Sequence, residues 1–351
     1  MKCIMLLFAI VVVIIAPSVA GEGVRYRDSV FSEVTYTPDI HYSSAPSVKG
    51  FSAYLTLDIY EPLDDTARNR PLILLIHSGS FISGAAHDGT LRSLCLTFAK
   101  KGYVCSSINY RVGIPDTTAS LDYVKALYRV VEDARSAVRY IAGQQELRID
   151  PKRVIVGGNS AGAIAALHYA YMNDSAMNAR IGDTSEIRDT GNAGPTPTAA
   201  AVLNMWGALL DLSWIRPGGP PIISFHGTAD STVPFRCGRT LSVQDLIMCG
   251  SGSIDSLARI QGIQSELYSR DTGHIEFEVK FMTPLMTDFL YRTIIGNSGI
   301  ISRTPLPGLP RHQSLQPALY IKKRTLPSGY HTELRGRRKN TAGPGIQLDI
   351  R

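Results

Sequence analysis

Five consecutive residues, Gly158-Asn159-Ser160-Ala161-Gly162, follow the apolar run Val154-Ile155-Val156 and precede a helical run from Ala163 to Ala170. A serine bracketed by glycines at a strand-to-helix turn is held in a strained backbone conformation, because flanking side chains would collide. That strain lifts its hydroxyl above the strand end. The next helix aims its N-terminal amides at the same spot. The same pattern also occurs as an idle glycine-rich turn, so its meaning depends on the rest of the chain. A serine hydroxyl is a poor nucleophile without an imidazole to take its proton and a carboxylate to fix that imidazole's tautomer. Backbone amides must also face the oxyanion that forms on attack.

The chain supplies each of these parts. His77-Ser78-Gly79-Ser80-Phe81 follows the apolar run Pro71 to Ile76. The amides of Gly79 and Ser80, with that of Ala161, are the expected oxyanion donors. His77 reads as a hinge that holds this loop. The acid is Asp230, in Phe225-His226-Gly227-Thr228-Ala229-Asp230, where an apolar strand runs into a glycine-containing turn. The other reading of Asp230 is a turn residue that bonds its own backbone. His226 is expected to pack under this loop. The base is His274, 44 residues beyond Asp230 and just after the last strand. It alone among the eight histidines follows the acid and precedes the last helix.

The elements that must position these residues alternate along the chain. Leu55, Leu57 and Ile59 alternate with polar neighbours, the signature of a half-buried strand. Pro71 to Ile76, Tyr103 to Tyr110, Val154 to Val156, Ala199 to Met205, Pro221 to Phe225 and Glu266 to Tyr268 read as further strands. Thr90 to Lys101, Ser120 to Ala142, Ser253 to Ile263 and Phe277 to Ile294 read as helices. Such alternation predicts a mostly parallel sheet covered on both faces. Residues 21–50 read as an irregular or short-stranded lead-in, and 173–198 as a polar excursion above the sheet. No internal repeat is present.

Length and composition, 351 residues with 44% hydrophobic and 19% charged, allow a sizeable core. Residues 1–20 read as a secretory leader: Lys2, an apolar run from Ile4 to Ala16, and Ser18-Val19-Ala20 before Gly21. The run is 13 residues, short of the ~20 that span a bilayer, and the alternative is an uncleaved anchor. No other segment approaches membrane-spanning length. The net charge of +6 is unevenly placed. From Ile301 onward ten basic residues face two acidic ones, a balance of +8 that leaves −2 for the rest. The main body therefore has no basic face suited to nucleic acid.

The division expected is leader 1–20, catalytic domain 21–299 and a basic, proline-punctuated tail 300–351 without apolar periodicity. The tail reads as disordered or loosely attached. A surface-binding arm and an appendage without evolved function stay open. Without the leader four cysteines remain, Cys95, Cys105, Cys237 and Cys249, with three pairings. Cys237 and Cys249 share one polar, loop-like stretch and are the favoured bridge. Cys95 and Cys105 fall in a helix and a strand, where buried thiols are an equally good reading.

Taken together, the chain resembles the secreted α/β-hydrolases of the carboxylesterase type. The matching pieces are His77-Ser78-Gly79-Ser80-Phe81, Gly102-Tyr103-Val104, Ile108-Asn109-Tyr110-Arg111, Asp133-Ala134-Arg135 with Arg139-Tyr140, Asp150-Pro151-Lys152-Arg153, the Ser160 turn and the Asp230 and His274 loops. They cover about residues 50–295. Ser78 departs from the resemblance, since a second glycine is usual there. The resemblance implies an α/β-hydrolase fold with the site at the strands' carboxyl ends, hydrolysis of a carboxylic ester through an acyl-enzyme, no metal or organic cofactor, and a secreted or periplasmic location. Phe81, Trp206 and Trp214 are candidates for lining the acyl or alcohol pocket, with core packing as the alternative for each Trp. The natural ester, whether acylated polysaccharide, feruloyl ester, glyceride or polyester, is not specified. A serine peptidase of the same fold would use the same triad, and a non-catalytic adhesion relative would have lost part of it.

Overall fold

The computed structural model describes residues 23–296, except 185, 186, 188–190, 242, 244 and 276, together with the backbone of Ala318–Leu326 and Gly329–Arg337. The expected leader and most of the expected tail, including its boundary, lie outside the described residues.

In chain order the strands are β1 (Val34–Pro46), β2 (Ser52–Pro62), β3 (Arg70–Ile76), β4 (Val104–Ile108), β5 (Ile149–Asn159), β6 (Ala199–Met205), β7 (Ala208–Leu209), β8 (Ile222–Gly227), β9 (Cys237–Arg239), β10 (Ile247–Gly250) and β11 (Ser265–Arg270). The helices are α1 (Gly89–Ala99), α2 (Ser120–Gly143), α3 (Ala161–Tyr171), α4 (Asp174–Ile181), α5 (Ser251–Ile260) and α6 (Val279–Leu290).

Eight strands form one sheet in the order β1-β2-β4-β3-β5-β6-β8-β11. The first two pairings are antiparallel and the rest parallel. Every residue of β3 is buried, Arg70 included, and the apolar run Pro71 to Ile76 suits a strand covered on both faces. One core lies between the sheet and α2, α3 and α5, with Val124, Leu127, Val131, Ile164 and Ile254 in it. The other lies under α1 and α6, with Leu94, Phe98, Met286 and Phe289. This is the α/β-hydrolase arrangement, and it brings the carboxyl ends of β3, β5, β8 and β11 to one edge.

Three segments differ from expectation. The lead-in contains β1, a 13-residue strand. Its register shifts at Thr37/Ile40 and at His41/Ser43, so its alternation is broken in sequence. The excursion 173–198 contains α4, capped by the Asn173 side chain, which accepts the Ala176 N–H at 2.9 Å. Its buried residues Met177 and Ile181 stand one turn apart. The stretch around Cys237 and Cys249 is an antiparallel pair of strands, β9 and β10, joined to β7.

Cys237 and Cys249 sit directly opposite each other in that pair and form a disulfide, while Cys95 and Cys105 are buried free thiols. The bridge closes a sequence separation of 12. Replacing both cysteines by alanine is expected to cost roughly 3 kcal/mol through the entropy regained by the unfolded chain. A melting midpoint unchanged in the double variant would contradict this.

The paired pieces Tyr110-Arg111 and Asp133-Ala134 meet in a fully buried ion pair. Arg111 Nη2 lies 2.7 Å from Asp133 Oδ1, and the Arg111 N–H donates to Oδ2 at 2.8 Å. It ties the strand-end loop after β4 to α2. A second buried polar group makes a pH prediction. His168 in α3 donates from Nδ1 to the Ile164 carbonyl (2.7 Å), and Nε2 accepts the Leu210 N–H (3.3 Å). Burial pushes its pKa down from 6.5 to about 4. A depressed folded value stabilises the fold above the unfolded value of 6.5 and is lost as pH falls towards 4. Stability should therefore drop by on the order of 1–2 kcal/mol between pH 6.5 and 5 from this residue. Urea unfolding of the parent and His168→Gln at both pH values checks it; equal slopes with pH would refute the assignment.

The segment after residue 305 is a separate unit. In it Ala318–Leu326 and Gly329–Arg337 pair as an antiparallel two-stranded sheet. Among the described residues no helix is long and apolar enough to cross a membrane.

Candidate active site

Ser160 sits between β5 and α3 with φ 52° and ψ −119°, a left-handed conformation that a non-glycine residue holds only when its surroundings dictate it. The Ser160 N–H donates to the Met205 carbonyl on β6 at 2.9 Å, which fixes the turn to the sheet. Gly162 is required by close approach: a Cβ there would collide with the carbonyl of Ile76 at the end of β3. The first turn of α3 thus packs against the strand that feeds the loop 77–84.

That loop carries three successive positive φ values: Gly79 at 111°, Ser80 at 53° and Phe81 at 64°. Its folding-back is set by the Gly79 carbonyl, which accepts the N–H groups of Ile82 (2.9 Å) and Ser83 (3.1 Å). Ser78 lies outside the left-handed region, so the serine found where a second glycine is usual meets no conformational penalty. His77 is buried, donates from Nδ1 to the Ser78 carbonyl at 2.6 Å, and stacks on Tyr110 with centroids 4.0 Å apart. Burial lowers its pKa. The Tyr110 hydroxyl donates to the carbonyls of His77 and Ser78 at 3.1 and 3.3 Å, and the Gly113 N–H to that of Phe81 at 2.7 Å. Ala161, the first residue of α3, has one of the amides that a helix leaves without an internal partner.

Asp230 follows β8, and His274 follows β11, its parallel neighbour. Their loops are stitched together by the Thr228 N–H to the Arg270 carbonyl (2.8 Å) and the Ala229 N–H to the Thr272 carbonyl (3.0 Å). His274 Nδ1 lies 2.7 Å from Asp230 Oδ2, and His274 Nε2 lies 3.0 Å from Ser160 Oγ. The carboxylate can only accept, so Nδ1 carries the hydrogen and Nε2 is left to receive the serine's proton. Asp230 Oδ1 accepts the amides of Thr232 (2.8 Å) and Val233 (2.9 Å). Burial pushes this carboxyl up, but hydrogen bonds from His226, then His274, then the Val233 amide outweigh it and hold it well below the usual carboxylate range. The Asp230 side chain is fully buried, while that of His274 is 25% exposed. The imidazole is therefore open to an incoming molecule and its partner is not. This constellation can activate a hydroxyl and stabilise the resulting imidazolium.

The three aromatic residues expected at the pocket are placed elsewhere. Phe81 is fully buried and meets Tyr110 and Tyr123 edge-on. Trp206 stacks on Phe277, and Trp214 meets His168 edge-on. At 0%, 2% and 7% exposure they have almost no surface to offer a ligand, and packing accounts for all three. Sequence reading placed His226 under the loop but missed its contact with Asp230: His226 Nε2 is 3.3 Å from Oδ2. Its signal was a histidine four residues ahead of the acid. Among the described residues no group of three His, Cys, Asp or Glu is placed to hold a metal ion.

Comparison with known proteins agrees with this architecture. The BD-FAE family model matches residues 57–208, which include the loop after β3 and Ser160. No curated protein is similar enough in sequence to match the chain. Among solved structures, esterase 2 of Thermogutta terrifontis phosphorylated by paraoxon is 24% identical, with a TM-score of 0.53 over 73% of this chain and 94% of that one. The same enzyme with butyrate bound is 24% identical, with a TM-score of 0.51 over 69% and 90%. With propionate bound it is 21% identical, with a TM-score of 0.52 over 80% and 100%. The shared architecture gives this chain the α/β-hydrolase fold, and over residues 57–208 it is similar to the BD-FAE family.

Proposed function

We propose that the chain is a serine hydrolase of carboxylic esters that works through an acyl-enzyme. The observation that carries this reading is the continuous line of hydrogen bonds from Ser160 Oγ through His274 to Asp230. Ser160 Oγ bonds to the ester carbonyl carbon while its proton passes to His274 Nε2. The negative charge forming on the carbonyl oxygen is met by the amides of Gly79, Ser80 and Ala161. The bond to the alkoxide then breaks, and His274 returns the proton to the departing alcohol. Water repeats the sequence, releasing the acid and restoring Ser160. Asp230 keeps the imidazole oriented and offsets its charge throughout.

Esterase 2 of Thermogutta terrifontis has been solved with butyrate and propionate bound, which directs the first assay to short acyl chains. Turnover of p-nitrophenyl acetate or butyrate is expected, with none of an aminoacyl-p-nitroanilide. The reverse preference would make the chain a peptidase. Because paraoxon phosphorylates that esterase, mass spectrometry after paraoxon treatment should place the adduct on Ser160. An adduct elsewhere removes the assignment.

Export through the leader 1–20 is part of the same reading, supported by the Cys237–Cys249 bridge, since disulfides persist in oxidising compartments. The residues assigned to chemistry all precede Gly296. Truncation after about Gly299 is therefore expected to leave kcat/KM for a small soluble ester within twofold; a tenfold loss at unchanged fold would place the tail in the site.

A further inference from the structure

Asp230 Oδ2 has two imidazole neighbours, and only one of them reaches the nucleophile. His226, the penultimate residue of β8, is completely buried. Its Nε2 lies 3.0 Å from the Val233 carbonyl and 3.3 Å from Asp230 Oδ2. Both of those oxygens only accept, so Nε2 must carry the hydrogen. On the other side of the ring, Nδ1 lies 2.7 Å from Ser251 Oγ at the start of α5. With Nε2 protonated, Nδ1 accepts the Ser251 hydroxyl. Ser251 Oγ in turn accepts from Asn204 Nδ2 at 2.9 Å. Asn204, on β6, is itself tied down. Its Nδ2 also donates to Ser224 Oγ (2.9 Å), and its Oδ1 accepts the Gly207 N–H (2.9 Å). Asn204, Ser224, Ser251 and His226 are all fully buried. Phe235 closes over the ring edge-on at 5.6 Å.

We propose that His226 is a positioning residue: clamped through Ser251 and Asn204 to the central sheet, it shares its Nε2 hydrogen between the Val233 carbonyl and Asp230 Oδ2 and so fixes the oxygen that orients His274. The proposal rests on the ester-hydrolase reading above. Backbone amides fix only Oδ1. Without His226 the carboxylate could swing about its Cβ–Cγ bond, and Oδ2 would hold His274 less firmly. An oriented base is needed for proton transfer and not for substrate binding, so the loss belongs in kcat. The arrangement also keeps Oδ2 supplied with a donor during the moment when His274 moves its other proton.

The test uses the whole chain and p-nitrophenyl acetate. Parent activity comes first: an inactive parent removes the ester-hydrolase reading and this proposal with it. With an active parent, His226→Leu is expected to lower kcat at least tenfold with KM within threefold and the near-ultraviolet dichroism retained. His226→Gln, whose amide nitrogen can reach the position of Nε2, should recover kcat to within about threefold of the parent. A folded His226→Leu with kcat within twofold of the parent overturns the proposal while leaving the esterase reading intact. So does a His226→Gln variant as defective as His226→Leu. If His226→Leu does not fold, Ser251→Ala decides, because it keeps the ring and removes the clamp. A threefold or larger fall in kcat at constant KM supports the proposal, and an unchanged kcat overturns it.

Discussion

Ser160→Ala is expected to abolish ester hydrolysis, by about 10⁶-fold in kcat on the scale seen when a triad nucleophile is removed. The magnitude follows from what is left behind. The loop 77–84, the first turn of α3 and the imidazole would all remain, yet none of them can form the acyl bond. Residual acceleration would come only from oriented donors and binding, about 10³–10⁴-fold over water in comparable systems. The fold should be indifferent to the change. Alanine bears the same positive φ as serine, and the N–H to the Met205 carbonyl is a backbone bond. Ser160 Oγ makes its hydrogen bond to His274, a residue of an open loop rather than of the core. The measurements are steady-state turnover of p-nitrophenyl acetate and a thermal melt on the same preparation. A variant with activity within tenfold of the parent and an unchanged melt would move the nucleophile elsewhere.

The order in which the parts arrive explains how much of this site could be read from residues alone. β3 and the second half of β5 are buried on both faces, so they show as the continuous apolar runs Pro71 to Ile76 and Val154 to Val156. The turn at Ser160 is local, made by glycines two residues either side, and so is the loop at Gly79. Asp230 and His274 were legible by position because adjacent parallel strands, β8 and β11, deliver their loops to the same edge. Properties that depend on the third dimension were not legible. Trp206 stands just beyond β6 in a left-handed conformation with φ 51°, its ring stacked on Phe277 from the far side of the sequence. Phe81 belongs to a loop whose backbone is proposed to meet the oxyanion, while its side chain packs in the core. β1 escaped because its bulges break the alternation, and α4 because eight residues with two apolar positions make a weak pattern. His226 was legible as a packed histidine, but its second nitrogen partner, Ser251, lies 25 residues away on another element.

His274→Ala and Asp230→Ala should both be severe, and their effects should not add. In the proposed mechanism His274 accepts the serine's proton, so its removal is expected to cost about as much as losing Ser160 itself, on the order of 10⁶-fold. In the same mechanism Asp230 acts only through His274, and its loss is expected to cost about 10⁴-fold. Once His274 is gone, Asp230 has nothing to orient, so the double variant should match His274→Ala within a few-fold rather than show the product of the two. The structure also supplies an internal control. Asp271 lies three residues before His274 and accepts the Thr228 hydroxyl at 3.3 Å, so it is an acid in the same loop without the bond to the ring. Asp271→Ala should stay within a few-fold of the parent. If Asp271→Ala were far worse than Asp230→Ala, the acid would have been misassigned despite its 2.7 Å bond to Nδ1. Asp230→Asn separates charge from shape. It keeps an oxygen for the Thr232 and Val233 amides, yet it removes the negative charge and lets the side chain present an N–H to His274. That would favour the tautomer with hydrogen on Nε2, which cannot take the serine's proton. A fall close to that of Asp230→Ala would therefore place the role of Asp230 in the ring's tautomer and charge, and not in filling space beneath it.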